Sequence, residues 1–183
     1  MDEDLELLPL PDEAVALLTG AGAPPRLVAH LRLVHDVAAR LADWTAERCP
    51  ELAVDRPAVL FGAATHDIGK AVHRSELSGP GSAHEPAGRE LLLAAGVAPE
   101  LARFAAGHAD WGPSSTAEDL LVALADKVWK DKRVPELEDL LVEVLARAGG
   151  GERWAWFLAL DELLTALGAD AGPRLAYQAR HPL

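Results

Sequence analysis

Only one cysteine, Cys49, stands among the 183 residues. That excludes an intrachain disulfide and any thiolate cluster around a metal, since both need several thiols. Aromatic residues make up 5% of the chain. β-Branched residues are sparse and no stretch alternates polar with apolar, which argues against a sheet. No apolar run approaches the roughly 20 residues that span a bilayer. Positive charge is also scarce: 17 Lys and Arg face 29 Asp and Glu, for a net charge of −12. A duplex nucleic-acid binder needs a basic face to neutralise phosphates, so that class is set aside. A small anionic ligand remains possible, because a few cations and a metal can outweigh the average charge locally. The acidic start (Asp2, Glu3, Asp4, Glu6) is the reverse of a signal peptide's basic one. The expectation is a soluble, cytoplasmic protein.

What is present is alanine and leucine, with Pro and Gly as punctuation. Half of the residues are hydrophobic, enough for the core of one domain. The expected fold class is all-α. Asp12 is placed to cap a short helix over 13–19, and Pro24-Pro25 to open a long one ending near Arg48. Asp55 and Pro57 start a helix that runs into His66-Asp67. A turn-rich segment over 71–83 follows, and His84 opens the next helix, where Gly88 permits close packing. Pro99 starts another. Ser115 with Glu118 fits a capping box for a helix over 117–130. Pro135 and Arg153 begin two more, and the tail 168–183 reads as irregular.

The stretch Leu60-Phe61-Gly62-Ala63-Ala64-Thr65-His66-Asp67-Ile68-Gly69-Lys70 is the centre of the chain's chemistry. A small, apolar helix delivers an adjacent imidazole and carboxylate towards a core. That is costly unless they find a partner, and a cation serves both. The alternative is an imidazole capping the helix's last carbonyls. Other polar residues share apolar helix faces. His35 lies with Val28, Leu31, Ala38, Ala39 and Ala42, His108 with Leu101, Phe104 and Ala105, and Asp126 with Val122, Ala123 and Trp129. His84 stands at a helix start.

The set His35, His66, Asp67, His84, His108 and Asp126 is therefore expected to meet inside. Burying six such groups without a shared cation would be expensive. Imidazoles and carboxylates without thiolate suit Fe, Mn, Co, Ni or Zn. Six ligands suit two ions bridged by one carboxylate. Asp36, flanked by Arg32 and Arg40, reads as a solvated salt-bridge face. His30, about 140° around the helix from His35, reads as a surface residue, and His181 as tail. His73 is a weak ligand candidate, and Lys127 points elsewhere.

The ordered set His35, His66-Asp67, Asp126 resembles the H…HD…D signature of the HD-domain superfamily, and His-Asp-Ile-Gly-Lys resembles its central motif. His84 and His108 are similar to the extra histidines of dinuclear members. The resemblance spans about residues 27–133. It implies an all-α bundle with a central metal site, Asp67 bridging two ions, and phosphate-ester hydrolysis. The expected organisation is a single domain over 1–183, with an HD-like core over about 24–134 and a helical extension over 135–183.

Two adjacent cations can hold a hydroxide that is nucleophilic at neutral pH and can bind phosphoryl oxygens. The expected function is thus a metal-dependent phosphohydrolase acting on a small phosphate ester, such as a nucleotide or dinucleoside polyphosphate. Asp67 and Lys70 are the catalytic candidates. Lys70 either contacts the phosphate or leaving group, or caps a helix dipole. Lys130 and Arg133 are further candidates for substrate binding, with a solvated helix face as the alternative. The same ligand pattern is also similar to mixed-valence di-iron oxygenases of the HD type, acting on a polyol or phosphonate. A third possibility is a non-catalytic module on this scaffold. The oligomeric state is not legible.

Overall fold

The structure, a computed structural model, describes residues 5–183. The acidic Asp2, Glu3 and Asp4 lie outside the described residues. Among the described residues there are helices and no strands: α1 (Asp12–Gly20), α2 (Pro25–Arg48), α3 (Arg56–Thr65), α4 (His84–Ala94), α5 (Pro99–Gly107), α6 (Ala117–Val128), α7 (Pro135–Gly149), α8 (Arg153–Gly168) and α9 (Ala171–Ala179). Two 3₁₀ turns, Ile68–Ala71 and Arg74–Leu77, link α3 to α4. None of these helices is long and apolar enough to cross a membrane.

Proline stands in the first turn of α2, α3, α5 and α7, where its missing N–H has no intrahelical partner to lose. Asp55 caps α3 by accepting from the Ala58 N–H at 3.0 Å. The cap of α6 lies one residue beyond the expected Ser115–Glu118 box. Thr116 accepts the Asp119 N–H, and Asp119 accepts the Thr116 N–H. Ser115 and Glu118 are engaged elsewhere, by the N–H groups of Gly112 and Asp55. Asp12 is the first residue of α1 rather than its cap.

Helix α2 is the central rod. It packs against α3, α6 and α9, and is consequently buried around most of its circumference. One apolar cluster joins α2, α3 and α6 to α7 and α8. A second gathers Leu27, Leu31, Phe61, Ile68, Leu92 and Ala105. Phe104 seals α5 onto α3, because its ring lies where a Cβ on Gly62 would have to sit, with ring atoms 2.6–2.9 Å from that position. Its burial contributes about 1.5–3 kcal/mol. Gly69 meets the backbone of α4 at His84 and Gly88 so closely that no side chain fits at that position. These contacts bring the ends of α3 and α5 and the start of α4 to one place.

Two further expectations fail. The tail is not irregular, since residues 171–179 form α9. Pro173 falls in its first turn, where proline is tolerated, and the buried Arg174 guanidinium bonds the Leu167 carbonyl at 2.6 Å. Asp36 is not solvated either. It keeps its expected ion pair with Arg40 at 3.3 Å, but the N-terminal segment covers it and its carboxylate accepts the Leu8 N–H at 3.1 Å.

Candidate metal centre

Six side chains converge between α2, α3, α4, α5 and α6. His66 and His108 stand at the C-terminal ends of α3 and α5, and His84 is the first residue of α4. Asp67 immediately precedes the first 3₁₀ turn, and Asp126 lies in the last turn of α6. The sixth is His30, one turn into α2. All six are buried.

His30 replaces the expected His35. His35 is also buried, but neither ring nitrogen has a partner, and its charged neighbours are Asp36 and Arg56 rather than the cluster's carboxylates. Burial pulls it down to about 4. Because α2 is covered on several sides, an apolar helix face does not by itself identify the side that looks onto the cluster. His30 lies three residues after Leu27 and four before Val34, both wholly buried, so it too stands on an apolar face and spacing alone does not choose between the two histidines.

The two oxygens of Asp67 face different imidazoles. Oδ1 is 3.1 Å from His84 Nε2 and 3.4 Å from His108 Nε2. Oδ2 is 3.3 Å from His30 Nε2 and 3.7 Å from His66 Nε2. Asp126 Oδ1 lies 3.5 Å from both His30 Nε2 and His66 Nε2. Two ligand groups result, His30–His66–Asp67 and Asp67–His84–His108, each with its donor atoms within 4.8 Å of one another.

These donors fit a cation. His30 Nε2, His66 Nε2, His84 Nε2 and Asp67 Oδ1 are buried, lack a well-directed hydrogen-bond partner and face one another across a few ångströms, so that, unlike at the lone His35 ring, shared cations would offset the expense. The far nitrogens of two rings are fixed by their own helices. His66 Nδ1 donates to the Ala63 carbonyl at 2.9 Å, and His108 Nδ1 to the Ala105 carbonyl at 3.2 Å. That directs their Nε2 lone pairs inward.

The electrostatics agree. Burial raises the carboxyls of Asp67 and Asp126, but His66, His30 and His84 for the first, and His30 and His66 for the second, hold both well below the usual range. Burial lowers His30 and His84, but carboxylates outweigh it: Asp126 and Asp67 raise His30, while Asp67 and Glu76 raise His84. His108 falls to about 4 through burial and the neighbouring His66.

A cavity of about 280 Å³ opens onto this centre, and Arg26, Lys70 and Lys130 bring three cations to its wall. Lys70 Nζ donates to Asp67 Oδ2 at 2.6 Å. Lys130 is exposed, lies 5.6 Å over the Trp129 ring, and has no ion-pair partner among the described residues. Leu175 and Gln178 of α9 also line it.

Arg133, expected at the mouth, is not there. It is spent on Glu138 and Asp161, at 2.7 Å each, and ties α7 to α8. Lys127, expected to point away, instead donates to Asp126 Oδ2 at 2.7 Å. His73 belongs to neither ligand group. His181 accepts Arg26 Nε through its carbonyl at 2.9 Å.

In comparison with known proteins, a family model described as "HD domain" matches residues 27–129, more than half of the chain. No solved structure matches it.

Proposed function

From the premise that this chain belongs to the HD domain family, we propose that it is a metal-dependent phosphohydrolase that cleaves a small phosphate ester. One observation carries the reading: a bridging-type carboxylate, Asp67, presents one oxygen to each of two imidazole pairs beneath a cation-lined cavity. The site residues proposed are His30, His66, Asp67 and Asp126 for one divalent ion, and Asp67, His84 and His108 for the other. Fe, Mn, Co, Ni and Zn all suit these donors.

Such ions, when bound, supply Lewis acidity towards phosphoryl oxygens and lower the pKa of a water to near neutrality. The chain's own groups do the rest. Lys70 and Lys130 attract and orient the anionic ester, against the chain's overall negative charge. Lys70, on the cavity wall beside Asp67, would also stabilise charge on the leaving oxygen. Leu27, Leu77 and Trp129 screen the cavity from water and strengthen these interactions. α9 completes the wall, so residues 135–183 are read as an extension of the same domain.

The test is reconstitution with Mn²⁺, Fe²⁺, Co²⁺, Ni²⁺ or Zn²⁺, followed by a panel of phosphomonoesters, cyclic nucleotides and dinucleoside polyphosphates. Release of phosphate or a phosphomonoester without dioxygen is the expected result. Substrate-dependent O₂ uptake by the iron form, without hydrolysis, would overturn it in favour of an oxygenase. Lys70→Ala should lower turnover about 100-fold, the scale of losing one preorganised donor. Metal content, measured by elemental analysis, should stay near wild type, and a parallel loss of both would make Lys70 a structural partner of Asp67.

A further inference from the structure

The His84 ring is held differently from its neighbours. His66 and His108 lean on carbonyls of their own helices, whereas His84 Nδ1 donates to a carboxylate, Glu76 Oε2, at 2.5 Å. Glu76 lies in the second 3₁₀ turn, within the turn-rich segment that separates α3 from α4. It also accepts the His84 N–H at 3.1 Å through Oε2 and the Ala83 N–H at 3.1 Å through Oε1. One side chain therefore closes the segment onto the start of α4 and fixes a ligand ring. Gly81 is part of the device, since a Cβ there would lie 2.5 Å from the Glu76 carboxyl carbon. The next residue, Leu77, lines the cavity over the centre.

We propose that Glu76 is a positioning residue that couples occupancy of the Asp67–His84–His108 position to closure of the 72–83 segment over the cavity. The inference rests on the metal-centre reading above. By accepting the Nδ1 hydrogen, Glu76 leaves the Nε2 lone pair facing Asp67 and makes that ring the stronger donor. An ion seated there holds His84, His84 holds Glu76, and Glu76 holds the segment that carries Leu77. The coupling is reciprocal, so an open segment weakens the ion's seat. The other position shares Asp67 but takes its remaining donors, His30, His66 and Asp126, from α2, α3 and α6, and none of these three is bonded to Glu76, so its ion does not depend on Glu76 directly.

The experiment titrates metal-free wild type, Glu76→Ala and Glu76→Gln with Mn²⁺ by calorimetry, and follows tryptic cleavage after Arg74 with and without Mn²⁺. Wild type should bind two ions, with cleavage slowed at saturation of the weaker step. In Glu76→Ala one step should weaken about 10–100-fold, as for loss of an outer-shell partner, the other should be unchanged, and Mn²⁺ should no longer protect Arg74. Glu76→Gln keeps an acceptor oxygen without the charge and should fall between, which decides the matter if the alanine variant does not fold. Two unchanged steps, or equal weakening of both, would overturn the coupling and leave the metal centre standing. A wild type that binds no Mn²⁺ would overturn both.

Discussion

Asp67→Ala should bind no ion at the His84–His108 position and bring turnover to background. Asp67 belongs to both groups of candidate ligands. It is the only carboxylate in the His84–His108 group, and two neutral imidazoles alone make a poor seat for a divalent cation. The other position would keep His30, His66 and Asp126 but lose one of its two negative charges. The substitution also frees Lys70 from its 2.6 Å contact and leaves an ammonium beside the imidazoles, which opposes cation entry further. Asp67→Asn, nearly the same shape without the charge, separates charge from packing. It should lose the second ion while melting close to wild type. Elemental analysis and a thermal melt check both variants, and full activity in either would remove the assignment.

The second large effect distinguishes two histidines on one helix. His30→Ala should weaken metal binding by more than the ~10–100-fold expected from losing an outer-shell partner, and activity should fall with it. His35→Leu should leave metal content intact. Its effect belongs to stability, because it removes two buried nitrogens that have no partner, each an expense of about 1–3 kcal/mol. The pH dependence follows from the direction of the shift. Unfolded, the ring takes its proton near 6.5, whereas folded it resists until about 4. His35 therefore permits full stability above pH 6.5 and erodes it as the pH falls to 4, by about 3 kcal/mol at the limit. His30, His84 and His108 also have shifted pKa values, so the informative quantity is the difference between wild type and His35→Leu in denaturant midpoints from pH 8 to 4. A difference that does not grow with acid would mean that His35 is no such burden.

The helices were readable because their signals are local. A proline in the first turn, or Asp55 accepting the Ala58 N–H, needs no knowledge of the rest of the chain. The tail is not legible for the same reason: its helix rests on the Arg174–Leu167 contact and the docking of α9 on α2, which no local signal reports. The convergence of His66, Asp67, His84, His108 and Asp126 is legible because each lies on one apolar face or at one helix end. His30 could not be separated from His35 by that logic, since α2 is enclosed on several sides. Arg133 and Lys127 were misjudged because the direction of a long, flexible side chain is set by its partners, Glu138 and Asp161 for one and Asp126 for the other. Glu76 gave no periodic signal, since it sits in a turn segment and matters only through a ring eight residues away.

The attachment of α9 has a bearing on how this molecule can change. The Arg26 guanidinium donates to the carbonyl oxygens of Ala179 and His181, and the Arg26 backbone N–H donates to the carbonyl oxygen of Pro182. Backbone oxygens are offered by every amino acid, so much of the last helix's mooring is blind to its sequence. Leu175 and Gln178, which look into the cavity, can be exchanged while Arg26 keeps its hold. The shape of the cavity can then change at one wall while His30, His66, Asp67, His84, His108 and Asp126 stay as they are.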